Sequence, residues 1–317
     1  MPLSKFLDPK NDLAFKRIFG TERNKDILIH FLNDIFAGEV APIEKVEFMK
    51  PIQEPEIASQ RVSIVDIMCK AAIGDQFIIE MQVLHEPGFE KRAQFYAARA
   101  YIDQRQAGTK YHDLKQVIFL AITDFTLFPN KPSYLSHHHV LDKKTLERDL
   151  KDFSFSFLEL PKFNHTIAEL HTMTEKWAYF FKHGTETSEN EMLQIAGQDI
   201  IITRAYEELN RYSWTPEELR TYNSIDMKRE ADAAILQGAL SRGKEEGLVE
   251  GLTKGLAEGL TKGLAEGLTK GLVEGVKKGA EEKQLAIAQK LLKSGEYSIE
   301  EIAEITDLSL KQIKEQI

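Results

Sequence analysis

Between residues 43 and 125 the apolar positions come in short runs bounded by turn residues. IEKVEFM (43–49), RVSIVDIMCKAAI (61–73), QFIIEMQVL (76–84) and VIFLAITDF (117–125) are rich in Val, Ile and Phe, the pattern of strands. Around them the period changes. NDLAFKRIFG (11–20) carries Asn11 as an N-cap, Asp12 in the first turn and Gly20 just past the end. A second helix is predicted from Glu22 to Ala37, closed by Gly38, and a third over EKRAQFYAARAYIDQRQAG (90–108). Arg61–Ala72 and Phe77–Leu84 are apolar on nearly both faces, which predicts central strands with helices on either side, an α/β layered core.

Downstream, KDFSFSFLELPKF (151–163) predicts a strand, and the stretches around 166–183 and 191–212 predict helices that elaborate the same domain, with Trp177 and Trp214 as core anchors. His137–His139 alternate in direction if extended, so an exposed loop is expected there rather than a metal site.

From Gly243 to Gly279 a glycine falls at every fourth residue, and GLTKGLAE occurs twice before GLTKGLVE. Each glycine costs a helix about 1 kcal/mol relative to alanine, so the segment alone should be poorly helical. The Lys and Glu at i,i+4 (Lys254, Glu258, Lys262, Glu266, Lys270, Glu274) return only a few tenths of a kcal/mol per pair. Two expectations stand side by side: a frayed linker, or a stalk in which close packing of two or more chains rescues the helix. The last segment predicts three short helices shaped like a helix-turn-helix, with Ser298/Glu301 and Ser309/Gln312 at capping-box spacing. Lys311 and Lys314 are opposed by Glu315, so a packing or dimerising module is favoured over a DNA reader. The expected boundaries are 1–235 for the α/β domain, 236–280 for the linker or stalk and 281–317 for the terminal module.

Composition narrows the function. No apolar run reaches the roughly 18 residues of a membrane span and MPLSKFLDPKND is no signal peptide, so a soluble cytoplasmic protein is expected. Cys69 is the only cysteine, which excludes intramolecular disulfides and cysteine-built zinc sites. The net charge of -9 argues against a generally basic nucleic-acid-coating surface, so positive charge for such a ligand has to be local.

Two polar residues interrupt FIIEMQVL. Glu80 and Gln82 share one face because strand side chains alternate. Asp66, on the preceding strand, joins that face only if the hairpin loop has an odd number of residues. A three-residue loop Ile73–Asp75 would set Asp66 opposite Gln82 and diagonal to Glu80, about 7–8 Å away. Two carboxylates on a buried face resist ionisation unless a cation lies between them, and Mg²⁺ suits carboxylate oxygens with retained waters. Such a site activates water and offsets charge in phosphodiester cleavage. Arg92, Tyr96 and Arg99, at i, i+4 and i+7, form a stripe suited to a DNA backbone, or else a solvated helix face.

DLAFKRIFG (12–20), VDI with Asp66, IIEMQV with Glu80 and Gln82, and KRAQFYAARAY (91–101) together resemble the PD-(D/E)XK nuclease superfamily, and within it the bacterial Rpn recombination-promoting nucleases, also described as transposases. The glycine-rich tail and SIEEIAEITDLSLKQI resemble the ends of such proteins. The resemblance implies a restriction-endonuclease-like α/β fold, a mixed sheet flanked by helices, and Mg²⁺-dependent DNA cleavage promoting recombination, with Mn²⁺ as a substitute ion. It places Asp66 and Glu80 at the metal-binding carboxylates, with Asp12 as a third acidic ligand or simply a first-turn acid favoured by the helix dipole. Gln82 stands where the motif has a lysine and cannot supply its charge. Either Gln82 orients water, or Lys16 or Lys91 replaces the lysine. The rivals are a non-catalytic DNA-binding or assembly protein on a nuclease fold and a strand-joining transposase; partners are DNA and, through the repeat and terminal module, further copies of the chain.

Overall fold

The computed structural model of the chain describes residues 4–50, 52–53, 63–105 and 109–316. Two compact units, Met1–Ala234 and Ile235–Ile317, divide it.

In the first unit, α1 (Asp12–Phe19) and α2 (Lys25–Ile35) precede the strands β1 (Val46–Phe48), β2 (Ile52–Gln53), β3 (Ser63–Ile64), β4 (Ile67–Ala71) and β5 (Gln76–Gln82). Helix α3 (Phe89–Asp103) then leads to β6 (Val117–Thr123), β7 (Leu135–His139) and β8 (Phe153–Glu159), followed by α4 (Met173–His183), α5 (Glu189–Ala196) and α6 (Ile200–Glu208). Six strands form one sheet in the order β1-β4-β5-β6-β8-β7, while β2 and β3 pair separately. β5, β6 and β8 run parallel and the flanking pairs antiparallel. This mixed sheet with helices on both faces is the restriction-endonuclease-like α/β fold.

Alternation in the strands sorts the core into two layers. Phe77, Ile79 and Met81 of β5 and Ile118, Leu120 and Ile122 of β6 face α1, α2, α4 and α6, where Phe19, Phe31, Trp177 and Phe181 form a ring cluster with centroids 5.0–5.8 Å apart. On the other face Ile78, Val117, Phe119 and Ala121 meet Phe89, Ala93, Ala97 and Ala100 of α3. The small alanines let this helix lie close on the sheet. Trp177 and Trp214 are buried, as expected.

Several expectations are corrected. The helix expected over 22–37 begins as a 3₁₀ turn, Glu22–Asn24, becoming α-helical from Lys25 to Ile35, although Gly38 does close it with φ of +81°. The strand expected over 61–72 is broken between Ile64 and Ile67, and its residues 61–62 lie outside the described residues. The hairpin loop has three residues but starts one earlier. Ala71 N–H bonds to the Asp75 carbonyl at 2.8 Å, and Gly74, at φ +102°, takes the left-handed position that ends such a loop. His137–His139 form a strand, β7, because β8 offers it an edge: His137 lies opposite Ser156, with Nδ1 2.8 Å from its hydroxyl.

The glycine repeat lies within a single helix, α7 (Pro216–Ser294). The capping pair Thr215 and Glu218 starts it, and Thr253, Thr261 and Thr269 each bond the carbonyl four residues back. A Cβ at any repeat glycine would meet open space, and Leu252, Leu256, Leu260, Leu264, Leu268 and Leu272 are all exposed. In the second unit α8 (Ile299–Thr306) and α9 (Leu310–Lys314) carry both expected capping boxes and close a small core of Ala288, Ile302, Leu308 and Ile313. Among the described residues no helix is long and apolar enough to cross a membrane.

Candidate active site

The break between β3 and β4 falls at Asp66, where side chains replace the ladder. The pairs Ile67↔Ile79 and Met68↔Ile78 place Asp66 directly opposite Glu80, not diagonal to it. Asp66 N–H donates to Glu80 Oε1 at 3.2 Å, and Met81 N–H donates to Asp66 Oδ2 at 2.8 Å. The parity inferred from the sequence holds, so both carboxylates share a face, but the register is two residues off.

Gln82 lies on the same face and links two partners. Its amide Nε2 donates to Glu80 Oε2 at 3.1 Å and its Oε1 accepts from Arg92 at 2.6 Å. Arg92 also pairs with Glu86 at 2.5 Å and lies 5.0 Å and 6.0 Å from the ring centroids of Phe89 and Tyr96. Its Nε is buried with no hydrogen-bond acceptor among the described residues. Arg99, two turns along α3 from Arg92, is ion-paired with Asp103 at 3.1 Å.

From the opposite layer, α1 contributes Lys16, whose ammonium is 2.8 Å from Asp12 and 3.8 Å from Asp66. Lys91 is exposed on α3. The start of α1 is pinned by residues far along the chain: Asn11 caps Leu13 N–H at 3.0 Å and donates to Asp226 at 3.0 Å, while Arg229 bridges Asp226 and Asp8. Sequence inspection misses this support because more than two hundred residues separate the partners.

Burial dominates the electrostatics. Glu80 is 3% exposed, and desolvation together with the Asp66 charge pushes its pKa up to about 8, against Arg92, the Asp66 N–H and the Gln82 amide. Asp66 is pushed up to about 6, chiefly by burial and then by Asp12, with the Met81 N–H and Lys16 opposing. Burial pulls Lys16 down, but Asp12, Asp66 and Glu80 outweigh it and leave its pKa raised. The Tyr96 hydroxyl is raised by burial and then by the Glu80 charge, which puts it within the field of the same carboxylate. Burial thus outweighs Lys16 and Arg92 and leaves both carboxyls raised.

Among the described residues no group of three or more His, Cys, Asp or Glu forms a ready-made metal cluster. The side chains that could hold a hard divalent cation are Asp66 and Glu80, with Asp12 alongside but engaged by Lys16.

A family model described as PD-(D/E)XK nuclease family transposase matches residues 9–238, a stretch that includes every residue of this cluster. No curated protein and no solved structure matches the chain.

Proposed function

The chain belongs to the PD-(D/E)XK nuclease family of transposases, and on that premise we propose that it is a divalent-metal-dependent DNA endonuclease, served by Mg²⁺ or by Mn²⁺ in its place, that promotes recombination in a bacterial cytoplasm. The observation that carries this is the facing pair Asp66 and Glu80, both held above the ordinary carboxylate range in a site open enough for Asp66 to keep 20% of its side chain exposed. A buried carboxylate pair that stays raised even with Lys16 and Arg92 nearby gains from a bound cation.

Bound there, the ion would polarise the scissile phosphate and lower the pKa of an attacking water. The chain's own groups supply the rest. Asp66 and Glu80 hold the ion, with Asp12 as a candidate third acid. Lys16, charged and 3.8 Å from Asp66, stands in for the motif lysine that Gln82 lacks, placing a cation beside the pair where negative charge develops on phosphate. Gln82 orients, through its bonds to Glu80 and Arg92. Arg92 and Tyr96 are assigned to the DNA backbone, and Arg99 extends that stripe. Nuclease chemistry is assigned to residues 1–235, while the 236–280 helix, with its exposed leucine row, and the 281–317 module serve self-association.

One observation favours a second reading. Gln82 is already engaged by Glu80 and Arg92, an arrangement that also suits a DNA-binding scaffold that has lost turnover. Plasmid cleavage across Mg²⁺, Mn²⁺, Ca²⁺ and EDTA, with Asp66→Ala and Glu80→Ala beside wild type, separates the two. Metal-dependent cleavage absent from both variants supports the nuclease. A folded wild type that binds DNA and cuts under no metal leaves the scaffold.

A further inference from the structure

A second feature lies on the same sheet face as Glu80. The register runs Glu80↔Ala121 between β5 and β6 and Ala121↔Phe157 between β6 and β8, so Phe157 stands in one lateral row with Glu80, two strands away. Strand spacing makes that roughly 10 Å. Beside Phe157 opens a cavity of about 290 Å³ walled by Phe128, His138, Phe155 and Phe157 and flanked by Glu90 and Gln94 of α3. The rings of Phe128, His138 and Phe157 lie 5.0–5.4 Å apart, centroid to centroid, and form a continuous aromatic wall. Burial and then Lys131 keep the His138 pKa below its ordinary value, so the imidazole is a neutral stacking surface.

The polar groups at this cavity suit one ligand class. The Phe128 and His138 rings, tilted 36° to each other with Phe157 edge-on to both, offer ring faces on which any base can stack, and the Glu90 carboxylate and Gln94 amide offer an acceptor and an amide for its edge. Lys131 lies 5.2 Å over the Phe128 ring and 3.4 Å from His138 Nε2, a rim cation within reach of a phosphate attached to the base.

Helix α3 lies between the cavity and the carboxylates, and its sequence marks a path. At 100° per residue, Glu90 and Gln94 face the cavity side, Arg92 and Tyr96 face the carboxylate side, and residue 95 occupies the outer ridge between them. That residue is Phe95, 59% exposed, with its ring 6.3 Å from Tyr96. A bare phenylalanine on a helix crest contributes nothing to the core. As a step between the aromatic cavity and the Arg92–Tyr96 flank it supports a crossing strand.

We propose that the Phe128–His138–Phe157 cavity is a nucleobase subsite: it holds one unpaired base of a DNA strand that crosses α3 over Phe95 and presents its phosphate to Asp66 and Glu80. The subsite rests on the nuclease assignment above and adds to it a preference for single-stranded or flapped DNA, because a base inside a duplex cannot leave its stack without cost.

The test uses the full chain and a deoxyoligonucleotide carrying 2-aminopurine, whose fluorescence falls on stacking, presented single-stranded, as a flap and as a blunt duplex, in EDTA and again in Ca²⁺. Wild type should quench the unpaired probes and bind them at least roughly tenfold more tightly than the duplex. Val140→Trp, at a cavity-lining position 44% exposed and therefore safe for folding, should abolish the quench and weaken binding about tenfold. Phe95→Ala should weaken binding with the quench retained at saturation. Equal, unquenched binding of all three probes, no binding in either buffer, or a Val140→Trp protein that behaves as wild type overturns the subsite. The nuclease assignment is read separately, by metal-dependent plasmid cleavage: a quench without cleavage sinks that assignment and leaves the subsite standing.

Discussion

Replacing Glu80 by Gln keeps the shape of the side chain and removes its charge. In wild type the carboxyl titrates at about 8 instead of 4.5, so the metal-free fold binds a proton there that the unfolded chain has already lost. Stability therefore falls as pH rises from the unfolded value through the folded one, by roughly 1.4 kcal/mol per unit across the interval. With Asp66 rising in the same direction, the loss assigned to Glu80 between pH 5 and pH 9 is on the order of 4 kcal/mol. Glu80→Gln abolishes that slope. Against it stands one mismatched hydrogen bond, because both Glu80 oxygens accept, from Asp66 N–H and from the Gln82 amide, whereas a Gln side chain offers a single acceptor. That costs about 1–2 kcal/mol where the carboxyl is ionised, and less at low pH, where its own proton already occupies one oxygen. The variant should therefore be slightly less stable than wild type at pH 5 and clearly more stable at pH 9 in EDTA. Tryptophan fluorescence during urea denaturation reads this directly, since Trp177 and Trp214, the two tryptophans of the chain, both lie in the first unit. Adding Mg²⁺ at pH 9 should restore wild type and leave Glu80→Gln unmoved. Parallel pH profiles for the two proteins would refute the reasoning, whatever their absolute stabilities.

Lys16→Met should reduce cleavage by about 100-fold or more with metal-induced stabilisation retained, and undiminished turnover would remove Lys16 from the chemistry. Arg92→Ala frees Gln82 and Glu86 and should lower the slope of log affinity for DNA against log salt by about one, measured by anisotropy titrations at several salt concentrations. Phe31→Ala, inside the ring cluster with Phe19, Trp177 and Phe181, should cost about 3–5 kcal/mol in urea denaturation. Gly255→Ala with Gly263→Ala meets open space and should raise helicity by about 1 kcal/mol per site in circular dichroism; a lower helical signal together with loss of self-association would show that the glycines serve chain packing instead.

Local rules carried much of this chain without a fold. Period two put Glu80 and Gln82 on one face, the Asn11, Ser298 and Ser309 caps were readable because donor and acceptor lie within three residues, and the alternating apolar runs named the central strands. What they left open has a physical cause. A hairpin shifted by two residues keeps every side chain on its face, so burial cannot distinguish Asp66 opposite Gln82 from Asp66 opposite Glu80. Gly74, the residue at ease at φ +102°, decides it by ending the loop. β7 forms because β8 presents an edge to it, which no property of LSHHH announces. Lys16 reaches Asp66 because Asn11 is tied to Asp226, and Arg92 reaches Gln82 because four small or aromatic residues seat α3 on the sheet. The sequence thus determined which residue types share a strand face; only the packed layers decided which of them meet.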